Sequence, residues 1–119
     1  MSCKQVNLNT SNCLAVNSGY DYLFNVKASI DLTGKTIYFK VKSVNQVGFI
    51  LELTNSNNPD VSGVYINNLS QGDFDVIIKS VDSDSISGVK VYECYIEDAT
   101  AKNLLFQGSI LFDKGVINE

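Results

Sequence analysis

Apolar residues recur at every second position through most of this chain, and a helix cannot use that spacing to bury a face. In residues 20–31, Tyr22, Phe24, Val26, Ala28 and Ile30 share one face, while Leu23, Asn25, Lys27 and Ser29 share the other. In residues 36–44, Ile37, Phe39 and Val41 oppose Tyr38, Lys40 and Lys42. Residues 48–54 set Phe49, Leu51 and Leu53 against Ile50 and Glu52. Residues 73–80 set Phe74, Val76 and Ile78 against Asp75, Ile77 and Lys79. Such alternation describes strands with one wet and one buried face, as in antiparallel sheets. No stretch keeps apolar residues at i, i+3, i+4 and i+7 for three turns, so no helix is expected.

Turn signals separate these runs about every ten residues. They are Asn17-Ser18-Gly19, Leu32-Thr33-Gly34, the polar stretch 55–60, Gln71-Gly72-Asp73 and residues 83–88. Two shorter runs, 6–8 and 64–66, are expected as edge strands, and 14–16 is a further candidate. The clearest hairpin joins residues 89–97 to 103–112 across Asp98-Ala99-Thr100-Ala101-Lys102. In its second strand Leu104, Phe106, Ile110 and Phe112 are predicted on one face, with Gly108 marking a bulge or a close approach. A chain of 119 residues is one domain by length. The division expected is a single unit over 1–119, with 1–18 as an N-terminal arm or edge strand and 114–119 as a tail. The expected class is all-β: an antiparallel sandwich of seven to nine strands, with a small closed β-barrel as the alternative.

The run Gly88-Val-Lys-Val-Tyr-Glu-Cys-Tyr-Ile-Glu-Asp98 narrows the choice. Its buried face should be Tyr92, Cys94 and Ile96, because the opposite register would bury Glu93 and Glu97 at several kcal/mol each. A Tyr-x-Cys pair on such a strand resembles the immunoglobulin fold, where the Cys bonds across the sandwich and packs against a Trp. The run 20–31 has no Cys, and the chain has no Trp. Cys94 is therefore expected as a small, unpaired core residue. With Cys3 and Cys13 the cysteines are odd in number, and three reduced thiols are expected, although a Cys3–Cys13 bridge is conceivable.

The same stretch, followed by Leu105-Phe-Gln-Gly-Ser-Ile-Leu-Phe112 and Val116, resembles the closing hairpin of immunoglobulin-like modules in tailed-phage virion proteins. The N-terminal module of phage baseplate upper proteins is one example. Tyr22-Leu-Phe-Asn-Val26 and Leu32-Thr-Gly-Lys-Thr-Ile-Tyr-Phe-Lys-Val-Lys42 are similar to the second and third strands of those modules. The likeness spans residues 20–116. It implies an immunoglobulin-like sandwich in a structural protein of a phage particle, either a capsid decoration or auxiliary protein or a tail or baseplate component. The partners implied are other capsid or tail subunits, with a homo-oligomer possible, and the location implied is the virion after synthesis in the host cytoplasm.

Composition excludes several alternatives. There is no His for a catalytic triad, an imidazole base or a metal site. All nine cations are Lys, and the formal charge is -4, so neither a basic face nor an Arg fork is offered to nucleic acid. No apolar run approaches a membrane span, and the first residues lack the apolar core of a signal peptide. The sequons at Asn9 and Asn68 are expected by chance in so Asn-rich a chain. Asp82-x-Asp84 opens a loose calcium-loop spacing, but Ile86 occupies a ligand position and Ser87 replaces the turn glycine. The carboxylates of Asp73, Asp75, Asp82, Asp84, Glu93, Glu97 and Asp98 show no catalytic pairing. Residues 103–109 resemble a viral-protease tag site, but they continue into an amphipathic strand and read as native structure. No catalytic residue, cofactor or metal is expected.

What remains is the surface. Tyr38, Tyr65 and Tyr95 are expected at outward or edge positions, with Lys40 and Lys42 beside them. Exposed Tyr is common where proteins meet. These five residues are the candidate interface, and a carbohydrate- or receptor-binding surface is the alternative.

Overall fold

The computed structural model describes residues 11–114, with side chains from Leu14 onward. The strands are β1 (Ser11–Asn17), β2 (Tyr22–Lys27), β3 (Thr36–Lys42), β4 (Phe49–Thr54), β5 (Gly63–Asn68), β6 (Asp73–Ile78), β7 (Gly88–Glu97) and β8 (Lys102–Asp113). A one-turn helix, α1 (Ser80–Ser83), lies between β6 and β7. The strands form two sheets, in the orders β1-β8-β7-β3-β4 and β2-β6-β5. Three strands of one layer facing a larger layer that holds the β7–β8 hairpin and β3 is the immunoglobulin-like arrangement. The fold is an all-β sandwich and not a closed barrel. The run at 6–8 and the tail beyond Lys114 lie outside the described residues, as does Cys3.

Alternation accounts for the core. Ile37, Phe39 and Val41 of β3 and Phe74, Val76 and Ile78 of β6 belong to one core cluster, and all six are fully buried. Tyr92, Cys94 and Ile96 point inward as predicted, while Glu97 is exposed. Leu32, in the β2–β3 connection, is also fully buried, and its N–H reaches the Leu69 carbonyl at 2.9 Å.

Aromatic rings join the layers where an antibody domain has its disulfide and Trp. Phe24 of β2 meets Phe39 at 5.7 Å and Phe106 at 6.4 Å between centroids. Within the larger sheet, Tyr92 meets the same two rings, Phe39 at 5.3 Å and Phe106 at 5.9 Å. Each ring contributes roughly 1.5–3 kcal/mol by burial alone, with edge-to-face contacts adding to that. Cys94 pairs across strands with both Phe39 and Phe106. It is a free, buried thiol, and burial pushes its pKa well above the usual range.

Several expectations are corrected. Phe49 was assigned inward but lies outward, paired with Lys42. A bulge at Val41/Lys42 shifts the ladder so that Leu51 stays inward and Phe49 reverses face. Leu104, also assigned inward, pairs with Tyr95 and is exposed. The cause is a second bulge at Cys94/Tyr95, which leaves Leu105 as the extra residue and buries it. Gly108 marks no bulge and pairs regularly with Tyr92. The candidate strand at 14–16 is part of β1, and it runs parallel to β8 within an otherwise antiparallel sheet.

The helix α1 was not expected. Four residues show no periodicity, so tertiary contacts must define it. Asp21 accepts hydrogen bonds from the Ser80 N–H at 2.8 Å and the Lys79 ammonium at 3.0 Å. Buried Ser83 accepts from the Gly19 N–H at 3.0 Å, and the buried Ser18 hydroxyl donates to the Ile86 carbonyl at 2.7 Å. Ile86, the misfit in the calcium-loop spacing, is a core residue. Among the described residues no group of three or more His, Cys, Asp or Glu is placed to hold a metal ion.

Candidate functional site

Cross-strand partners share a face, so the ladder of the five-stranded sheet arranges its outward residues in rows. One row is Thr54, Tyr38, Tyr95 and Leu104, from β4, β3, β7 and β8. The next is Glu52, Lys40, Glu93 and Gln107. The third is Phe49, Lys42, Val91 and Ser109. The structure thus brings four of the five predicted residues, Tyr38, Lys40, Lys42 and Tyr95, onto one surface.

The two tyrosines are stacked, with ring centroids 5.0 Å apart and planes inclined by 24°. Lys40 lies over three rings, at 5.2 Å from Tyr38, 4.9 Å from Phe49 and 5.4 Å from Tyr95. Lys102 caps Tyr95 from the hairpin end at 4.4 Å. Contacts of this kind contribute about 0.5–1 kcal/mol each at exposed sites. A hydrogen bond with Tyr95 holds the Lys40 pKa above its usual value, and the charges of Glu52 and Glu93 add to it. Lys40 closes an ion pair with neither carboxylate; among the described residues the pairs are Lys27–Asp73, Lys35–Asp98 and Lys79–Asp21.

Tyr95 was expected to be exposed. It does lie on the outward face, but only 4% of it is accessible, because Tyr38, Lys40 and Lys102 cover it. Tyr65 stands apart, on β5 at the edge of the smaller sheet. Its hydroxyl approaches the Asn58 and Val61 carbonyls, so it braces the loop that precedes its own strand. Phe49, Leu104 and Lys102 belong to the outward surface and were not singled out from sequence. Phe49 and Leu104 are displaced by bulges, and Lys102 reads as a turn residue.

One end of the face is fixed by the β7–β8 turn. The Asp98 carboxylate accepts hydrogen bonds from the Lys35 ammonium at 2.8 Å, from the Thr100 and Ala101 N–H groups at 2.9 Å each, and from the Thr100 hydroxyl at 3.0 Å. Lys35 is the largest cause holding its pKa well below the usual carboxylate range. A shallow hollow of about 300 Å³ opens there, between Gly34, Thr36, Tyr38, Glu97 and Asp98.

No family model matches the chain, and no curated protein matches it in sequence. Solved structures do match in shape. The NK cell receptor Nkp44 is 12% identical, with a TM-score of 0.53 over 87% of this chain and 98% of that one. The second Ig domain of the mouse polymeric immunoglobulin receptor is 11% identical, at 0.49 over 88% and 95%. A chain of the ZIG-8–RIG-5 IG1-IG1 heterodimer is 14% identical, at 0.49 over 92% and 88%. The likeness to Nkp44 is one of fold.

Proposed function

We propose that this chain is a non-enzymatic, protein-binding immunoglobulin-like module that acts by assembly. Its place would be a phage particle, as a capsid decoration or auxiliary protein or as a tail or baseplate component, in contact with neighbouring virion subunits. The phage setting rests on the likeness of residues 20–116 to virion modules. The contact reading rests on one observation: the Tyr38–Tyr95 stack under Lys40 and Lys102, on an open sheet face. Aromatic residues with charged rims are typical of protein contacts.

The alternative, a carbohydrate- or receptor-binding module, draws on the hollow beside Tyr38. The stack favours the protein contact, because Tyr95 presents almost no ring surface on which a sugar could lie.

Assembly itself is the test. Folded Tyr38→Ala protein is added to particles lacking the native subunit, and incorporation is compared with wild type. A severe loss is expected. Normal incorporation, with wild-type protein binding an oligosaccharide in solution, would favour the alternative.

A further inference from the structure

We propose that the outward face of the five-stranded sheet binds a second copy of this chain, about a two-fold axis that runs along the strands between β3 and β7. This self-contact presupposes that the face is a protein contact, and it identifies one partner.

Among two-fold axes that bring no like charges together, this one opposes four strands of each copy and also sets Lys40 against Glu93. A two-fold along the strands keeps each row at its own height and reverses its order. The row Glu52, Lys40, Glu93, Gln107 then meets its own reverse. With the axis between β3 and β7, Lys40 of each copy faces Glu93 of the other, and Gln107 faces Glu52. In the row above, Tyr38 faces the capped Tyr95 of the second copy. In the row below, Lys42 faces Val91. No like charges meet in any of these rows. An axis along β7 would instead set Glu93 on Glu93, and one along β3 would set Lys40 on Lys40. Like-charge juxtaposition of that kind opposes docking.

Composition of the face agrees. The whole chain carries -4, which disfavours self-association. Lys40, Lys42 and Lys102 balance Glu52, Glu93 and Glu97 in the rows around the axis, and Asp113 lies farther out at the end of β8. Lys40 sits over the Tyr38, Phe49 and Tyr95 rings, with Glu52 and Glu93 beside it in the row and no ion pair to either, so a carboxylate from a second copy would meet a positive charge held in place by the rings. Stacked sheets twist, which confines close contact to residues near the axis, where these pairs lie.

Five strands and about seven residues of length give a face of roughly 24 by 23 Å. That is below the usual 800 Å² or so per partner. The dimer is therefore weak and reversible.

Sedimentation of the full chain from micromolar to near-millimolar concentration tests this. Wild type should show a monomer–dimer equilibrium. Lys40→Glu and Glu93→Lys should each weaken association by about tenfold or more. The Lys40→Glu/Glu93→Lys double variant should recover to within about threefold of wild type. Lys42→Glu carries the same charge change but faces Val91, and should weaken association less. Wild type that stays monomeric, or a double variant no better than either single one, would overturn the self-contact. If wild type is monomeric and Tyr38→Ala still blocks incorporation into particles, the face binds a different protein and only the self-contact is lost. If wild type is monomeric and Tyr38→Ala incorporates normally, both readings fall.

Discussion

Phe24 and Phe106 meet edge to face across the sandwich, 6.4 Å apart, next to the Cys94 thiol that pairs with Phe106 along the sheet. The smaller layer is thus held to the larger by ring contacts and needs no covalent bond at that point. Phe24→Ala should remove the link between layers and cost about 2–4 kcal/mol, less than the most buried phenylalanines because Phe24 is only half-buried. Chemical denaturation of the variant beside wild type measures this. A loss under half a kcal/mol would show that the rings are not the tie.

Cys94 should be inert in the native protein. The thiol is fully buried and its pKa is pushed up by burial, so the reactive thiolate is scarce. Thiol titration should miss this cysteine until the protein is unfolded. Cys94→Ala should be tolerated at a modest cost, whereas Cys94→Asp should lose several kcal/mol by burying a charge with no partner. Detection of Cys94 in a bridge by non-reducing mass spectrometry would refute the assignment.

Asp98 predicts how stability depends on acid. Its folded-state pKa is depressed, chiefly by Lys35 and then by the turn donors. A depressed carboxylate contributes stability that is fully present above its unfolded value of about 3.9 and is lost as pH falls toward the folded value. Asp21, Asp31 and Asp73 are lowered as well and act in the same direction. Denaturation midpoints should therefore fall as pH drops below about 5. Asp98→Asn should flatten that slope. An unchanged slope in the variant would place the acid sensitivity elsewhere.

Two glycines with similar backbone angles should respond differently to alanine. Gly34 has φ +73° and Gly72 has φ +71°, and both are left-handed. A Cβ on Gly34 meets nothing within 4 Å, so Gly34→Ala should cost only the conformational penalty, about 1 kcal/mol. A Cβ on Gly72 would lie 2.6 Å from the Ile30 carbonyl oxygen and 2.9 Å from its nitrogen. Backbone must move there, and Gly72→Ala should cost at least about 2 kcal/mol more than Gly34→Ala. Equal melting temperatures for the two variants would refute this.

Alternation made the all-β class legible, because β2, β3, β6 and the first half of β7 keep their period without interruption, while the choice of sandwich over closed barrel drew on strand number, turn spacing and the Tyr92-x-Cys94 pair. Phe49 and Leu104 were misplaced because a bulge costs one residue of register, and no residue type announces it. Residue 48, a glycine, flanks the first bulge, but glycine also ends many strands. The helix α1 depends on Asp21, Gly19 and Ser18, far away in the chain, so local pattern could not show it. Within the site, Tyr38, Lys40, Lys42 and Tyr95 were legible as outward positions. Their mutual capping was not, because it depends on which outward residues share a row across strands. Tyr65 had the same local signature as Tyr38 but lies on the other sheet.

The Tyr38–Tyr95 stack also gives the molecule an intrinsic optical probe. With no Trp and six Tyr in the chain, near-ultraviolet absorption and emission are dominated by tyrosine. Two phenol rings 5.0 Å apart couple their transition dipoles, and the 24° inclination of the planes holds the pair in a fixed skewed geometry that contributes near-ultraviolet circular dichroism. Anything that lands on this face, or shifts Lys40 and Lys102 off the rings, alters the coupling directly. Occupancy of the outward sheet can therefore be followed in unlabelled protein as a difference in the tyrosine spectrum, with Tyr38→Ala as the control that removes the pair.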